Sequence, residues 1–155
     1  MKKILLFLIA NICLFSVNSF SAEQHQKQSK QVKLMQKTFG MIKPSGMSKA
    51  VEIKSIIGSY GIKILKSKRL LLTEKQFNLL YAEHKNKPFF NELKSSLVGK
   101  EVEVMILYGN NAVLRYRDAV DEIRSIYALN KTENILHGSD NYKRAQEEIC
   151  IFFAC

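Results

Sequence analysis

The stretch Asn134-Ile135-Leu136-His137-Gly138-Ser139-Asp140 sets one histidine between a short apolar run and a Gly-Ser-Asp helix opener. Imidazole accepts a phosphoryl group near neutral pH when it is neutral, held in one tautomer and exposed at a cleft. An apolar strand ending at a turn can offer such a position, so His137 is the candidate nucleophile. A lone histidine before a turn also fits an ordinary packed or surface residue, and partner groups elsewhere must decide. Lys43 is the first of these. It ends the alternating run Thr38-Phe39-Gly40-Met41-Ile42-Lys43, closed by Pro44-Ser45-Gly46, and the end of a strand is where ligands usually meet a sheet. His25 and His84 look incidental, one in a polar lead-in and the other on a partly exposed helix side. Neither clustered carboxylates nor His/Cys ligand spacing points to a protein-built metal site.

These residues need a scaffold. The pattern predicts a strand over 38–43, then a helix over 50–60 with Val51, Ile53, Ile56, Ile57 and Tyr60 at near-helical spacing and Gly61 as C-cap. A half-exposed strand follows over 62–72. Thr73-Glu74-Lys75-Gln76 reads as a capping box opening a helix with Phe77, Leu80, Tyr81 and His84 along one side. Lys87-Pro88-Phe89-Phe90 breaks that helix and starts a short one through Leu93 and Leu97. Val102 to Tyr108 is the third strand, and helical spacing resumes over 112–120 with Arg115 and Arg117 projecting. An irregular segment with Arg124 leads to the strand 135–137, and Asp140 caps a last helix carrying Ala145, Glu148 and Ile149. This order predicts an α+β ferredoxin-like sandwich, a four-stranded antiparallel sheet with helices burying one face.

The chain of 155 residues is long enough for one core and too short for two. With 46% hydrophobic and 25% charged residues it is ordinary globular material. Residues 1–22 stand apart: Lys2 and Lys3 precede an apolar run and then small polar residues, the layout of a secretory signal peptide cleaved after Ser21 or Ala22. Residues 23–36 read as a flexible basic lead-in, and the domain occupies 37–155. Export to the periplasm or beyond is therefore expected, with no stable membrane anchor after cleavage. Losing Lys2 and Lys3 leaves 22 basic residues against 14 acidic ones, a net +8. Such a surface attracts phosphates, whether of nucleotides, nucleic acid or anionic lipid, or simply maintains solubility. In an oxidising compartment Cys150 and Cys155 could pair; a free Cys150 on a helix is the alternative.

From about Lys37 to Phe153 the chain resembles nucleoside diphosphate kinase. The resemblance is carried by Thr38-Phe39-Gly40-Met41-Ile42-Lys43-Pro44, by Tyr81-Ala82-Glu83-His84 through Lys87-Pro88-Phe89-Phe90, by Asn111-Ala112-Val113 to Arg117-Asp118, and by Thr132-Glu133-Asn134 to Asp140 with its Asn-x-x-His-Gly-Ser-Asp signature. It implies ping-pong transfer of a γ-phosphate from a nucleoside triphosphate to His137 and on to a nucleoside diphosphate. By the same likeness Glu148 fixes the histidine tautomer, and Lys43, Arg117 and Arg124 contact phosphates. Tyr81 contributes a hydroxyl to the transferred group, Asn134 binds the sugar, and Ser139 places a hydroxyl beside the histidine. Phe89 stacks on the base, Leu93 closes its other edge, and Mg²⁺ is held through the nucleotide's phosphates. A homo-oligomer based on dimers is implied, and nucleic acid is a secondary partner. The alternative is an exported module that keeps the fold as a non-catalytic nucleotide- or nucleic-acid-binding surface.

The chain departs from the family pattern between Arg117 and Arg124. The family has a longer connection there, with a phosphate-contacting threonine and a Pro-bearing loop used in subunit contacts, and about ten residues are missing here. Only Asp118 to Ile123 remain, without a threonine. One phosphate hydrogen bond is lost, Arg124 is less securely placed than Arg117, and the contacts behind a hexamer are in question. The family's acidic residue after Lys-Pro is Ser45. Weakened activity is expected before none.

Overall fold

Thr38 to Ile42 and Val102 to Leu107 are buried without a break, so the strands that carry them lie at the centre of the sheet. The computed structural model describes residues 34–127 and 134–154. The expected signal peptide, nearly all of the lead-in, Thr132, Glu133 and Cys155 lie outside the described residues.

The elements in chain order are β1 (Met35–Ile42), a 3₁₀ turn (Pro44–Lys49), α1 (Ala50–Ser59), β2 (Lys63–Leu71), α2 (Glu74–Leu80), a 3₁₀ turn (Ala82–His84), α3 (Phe90–Leu97), β3 (Glu101–Asn110), α4 (Ala112–Tyr127), β4 (Leu136–Gly138) and α5 (Tyr142–Phe152). The strands form one antiparallel sheet in the order β2-β3-β1-β4. The α+β ferredoxin-like class expected from sequence is the class observed.

Both faces of the sheet are covered, where one was expected. Phe39, Met41, Val102, Val104 and Ile106 point to a core shared with Phe77, Leu80, Leu93, Leu97, Ile149 and Phe152 of α2, α3 and α5. Ile42, Met105 and Leu107 point the other way, onto Ile53, Ile57, Tyr116, Val120 and Ile123 of α1 and α4. Side chains alternate across a strand, so apolar residues at successive positions require a cover on each side.

Local chemistry fixes the element ends. β1 starts at Met35, two residues inside the expected lead-in, because it pairs with β3 as far as Asn110. In β2 the register slips between Ile64 and Lys66, so Leu65 is the extra residue of a bulge, which explains why Ile64 and Leu65 break the alternation. The Thr73 capping box forms: Gln76 N–H donates to the Thr73 hydroxyl at 3.2 Å, and Thr73 N–H donates to the Gln76 amide oxygen at 3.1 Å. The last helix is capped by Asn141, not Asp140; the Asn141 side chain accepts from Arg144 N–H at 2.9 Å.

The largest difference lies in the shortened segment. Instead of an irregular stretch, α4 runs unbroken through Arg124 to Tyr127, burying Val113, Tyr116, Ala119, Val120 and Ile123 at spacings of three and four. Arg117 and Arg124 are seven residues apart on one helix. Two turns bring them to the same side.

Candidate active site

His137 lies on edge strand β4, paired with Met41 of β1. Tyr116, fully buried on α4, stands behind it and donates its hydroxyl to the His137 carbonyl at 3.2 Å. Only glycine fits around that ring. A Cβ on Gly138 would come 2.8 Å from Tyr116 Cε1, and one on Gly40 would come 2.5 Å from the Tyr116 hydroxyl. The imidazole packs against Phe39, centroids 5.9 Å apart, and meets Tyr81 edge-on at 5.5 Å.

The far side of the ring belongs to α5. Nε2 stands 3.2 Å from Glu148 Oε1, within hydrogen-bond distance but with the N–H off the line to the oxygen. Glu148 is 1% exposed and stays tolerable in that position because both oxygens are matched. Ser139 donates to Oε2 at 2.5 Å, and Arg144 Nε lies 3.1 Å from Oε1. Ser139 is thus buried against Glu148 behind the histidine, not on a cavity wall. Arg144 was not singled out from the sequence.

Two cavities meet at His137. The larger, about 480 Å³, is lined by Lys43, Asn134, Phe89 and Leu93, with Tyr81, His84 and Arg124 where it reaches the histidine. The smaller, about 160 Å³, is bordered by Arg117, Arg124 and Arg144 together with Glu83, Asp121, Asp140 and Glu148. One lobe carries the apolar side chains of Phe89 and Leu93, the other charges of both signs, three of them guanidinium groups. That division suits a base and sugar followed by phosphates. His84, which looked incidental, borders both lobes, with its ring edge-on to Phe89 at 5.7 Å.

Several donors point to an anion. The hydroxyl of Tyr81 and Nε of Arg124 are buried and lack a hydrogen-bond partner among the described residues. Burial, and then the charge of Glu148, push the Tyr81 phenol above its ordinary range, so it remains a donor. Arg124 also donates through Nη2 to the Leu136 carbonyl at 2.9 Å, so the shortened segment has kept it in place. Arg117 pairs with Asp140. Lys43, 5% exposed, has its pKa lowered to about 7 by burial and then by the charge of Arg124. Its ammonium donates to Asn134 Oδ1 at 2.9 Å, and its backbone N–H to the Ile135 carbonyl at 2.9 Å.

A family model described as nucleoside diphosphate kinase matches residues 36–155. The nucleoside diphosphate kinase of Wolbachia sp. subsp. Drosophila simulans (strain wRi) is 38% identical over 132 residues, covering 77% of this chain and 95% of that protein. That of Gluconobacter oxydans (strain 621H) is 34% identical over 132 residues, covering 77% and 94%. The chain belongs to the nucleoside diphosphate kinase family. Among solved structures, the nucleoside diphosphate kinase of Aquifex aeolicus superposes with a TM-score of 0.71 at 27% identity, covering 77% of this chain and 96% of the other. That of Encephalitozoon cuniculi gives 0.73 at 25% identity, covering 77% and 90%. The enzyme is a nucleoside diphosphate kinase, and its ligands are nucleotides.

Sequence reasoning about this kinase missed Tyr116, Arg144 and His84. For Tyr116 a signal was present, since Gly40 and Gly138 mark close approaches. For Arg144 there was none.

Proposed function

We propose that this nucleoside diphosphate kinase works through a phosphohistidine at His137 in the lobe that Arg117, Arg124 and Tyr81 line. The observation that carries the reading is the pairing of His137 Nε2 with Glu148 at 3.2 Å while the Tyr81 hydroxyl and Arg124 Nε lack partners beside the ring. With Nε2 turned to the carboxylate, Nδ1 is the nitrogen left to attack. Its lone pair forms an N–P bond with the γ-phosphorus as the bond to the β-phosphate oxygen breaks, and the nucleoside diphosphate departs. A second diphosphate then attacks phosphorus through a terminal oxygen, and the N–P bond breaks. Glu148 holds the Nε2 proton throughout and balances charge on the ring.

Lys43, Arg117, Arg124 and Tyr81 neutralise and bind the migrating group, Asn134 orients the sugar, and Phe89 over Leu93 receives the base without strict preference. Mg²⁺ would be held by phosphate oxygens and water. Among the described residues no group of three or more His, Cys, Asp or Glu stands together to hold a metal, and the three arginines of the lobe fit phosphates that bring their own cation. When bound, the ion offsets charge on the transferring phosphates.

The open β2 edge, with Leu65 and Leu71 exposed, supports self-association as a dimer-based oligomer, which light scattering of the purified protein measures. The charged and apolar start of the chain supports export, and a mature N-terminus near Glu23 by mass spectrometry is the expected result. Incubation with γ-labelled ATP and Mg²⁺ tests the central reading. An acid-labile label that chases onto GDP and vanishes in His137→Ala is expected; folded protein that takes up no label would refute it.

A further inference from the structure

Arg144 makes contacts in three directions from the first turn of α5. Nε lies 3.1 Å from Glu148 Oε1, Nη1 donates to Glu147 at 3.3 Å, and Nη2 donates to the carbonyls of Leu80 at 2.5 Å and Leu79 at 3.4 Å. Those carbonyls end α2, where helix geometry leaves them without intrahelical partners, and a cation there is favoured by the helix dipole. The next residue is Tyr81. Arg144 is itself anchored, because its backbone N–H is the one held by the Asn141 cap.

One side chain thus ties together the two supports of His137. Glu148 approaches the imidazole from α5, and Tyr81 meets it edge-on from the end of α2. We propose that Arg144 is a positioning residue for phosphoryl transfer, a strap that sets Glu148 and the Tyr81 hydroxyl in register against His137. The proposal rests on the phosphohistidine reading above. A guanidinium suits the task because its planar fork serves a carboxylate and two carbonyls at once, which an ammonium cannot do. Each of its nitrogens is engaged within the protein, so the effect of Arg144 should fall on rate more than on nucleotide affinity.

Single-turnover phosphorylation by ATP·Mg²⁺, followed by rapid quench across nucleotide concentrations, separates the limiting rate from the nucleotide Kd. Arg144→Met should lower the limiting rate about 10–100-fold, the scale of small misplacements, with Kd changed by less than about threefold. Arg144→Lys should fall between. In a Glu148→Gln background Arg144→Met should cost clearly less than in the wild type, since only its hold on Tyr81 is then left to lose. A rate within about twofold of wild type, or losses that multiply in the double variant, would overturn the proposal. If Arg144→Met fails to fold, Arg144→Gln and Arg144→Lys carry the same cycle. Wild-type protein that takes no label would instead remove the phosphohistidine reading.

Discussion

Lys43 donates to Asn134 at 2.9 Å from a position 5% exposed, and burial together with Arg124 lowers its pKa to about 7. An arriving phosphate is an anion and favours the charged ammonium, so its pKa must rise on binding and a proton must be taken up. Uptake should be about half a proton at pH 7 and nearly one at pH 8. Calorimetry of nucleotide binding in buffers of different ionisation enthalpy reads this directly. In Lys43→Met the buffer dependence at pH 8 should disappear; an unchanged slope would remove Lys43 from the phosphate site.

The Tyr81 hydroxyl is buried without a partner among the described residues, which costs stability in the free protein. Tyr81→Phe should therefore keep or raise stability, by up to about 1 kcal/mol, while lowering kcat about tenfold or more. Thermal melts and steady-state assays on the same preparation decide it. A loss of both would assign the hydroxyl to folding.

Phe89 is 41% exposed at the rim of the larger cavity. If it stacks on the base, Phe89→Ala should weaken binding by about 1 kcal/mol or more, a KM raised roughly fivefold or beyond, and similarly for ATP, GTP and CTP. A change confined to one base would mean the ring reads edges rather than faces.

Gly138→Ala would push a methyl to 2.8 Å from Tyr116 Cε1 in a site with no slack. Overpacking of this kind costs about 1–3 kcal/mol, and the carbonyl that Tyr116 holds belongs to the nucleophile itself. Both denaturant midpoint and kcat should fall, and replacing Tyr116 by a smaller residue in the same chain should restore part of the midpoint.

What the amino-acid pattern revealed was whatever it encodes locally. The Thr73 capping box, the apolar run of β3 and the His137 turn each place their partners within a few residues. The continuation of α4 was concealed because Arg115, Arg117, Asp118, Asp121 and Glu122 crowd the sequence between Val113, Tyr116, Val120 and Ile123, with Arg124 directly after. These five are exposed while Arg124 turns into the cavities, and the apolar stripe is visible only once its spacing is followed through. Arg144 was concealed for another reason. Two of its acceptors are backbone carbonyls more than sixty residues away, and a carbonyl has no letter in a sequence. The second cover on the sheet belongs with these, since one face was taken to be solvated from the lysines of an edge strand.

The unbroken course of α4 sets how substrates must come and go. Arg117 and Arg124 ride on a single rod, with no joint between their backbones, so the two arms start from a fixed spacing. If both grip phosphate as proposed, donor and acceptor meet the same caliper. Turnover then requires no lid to shut between these two residues.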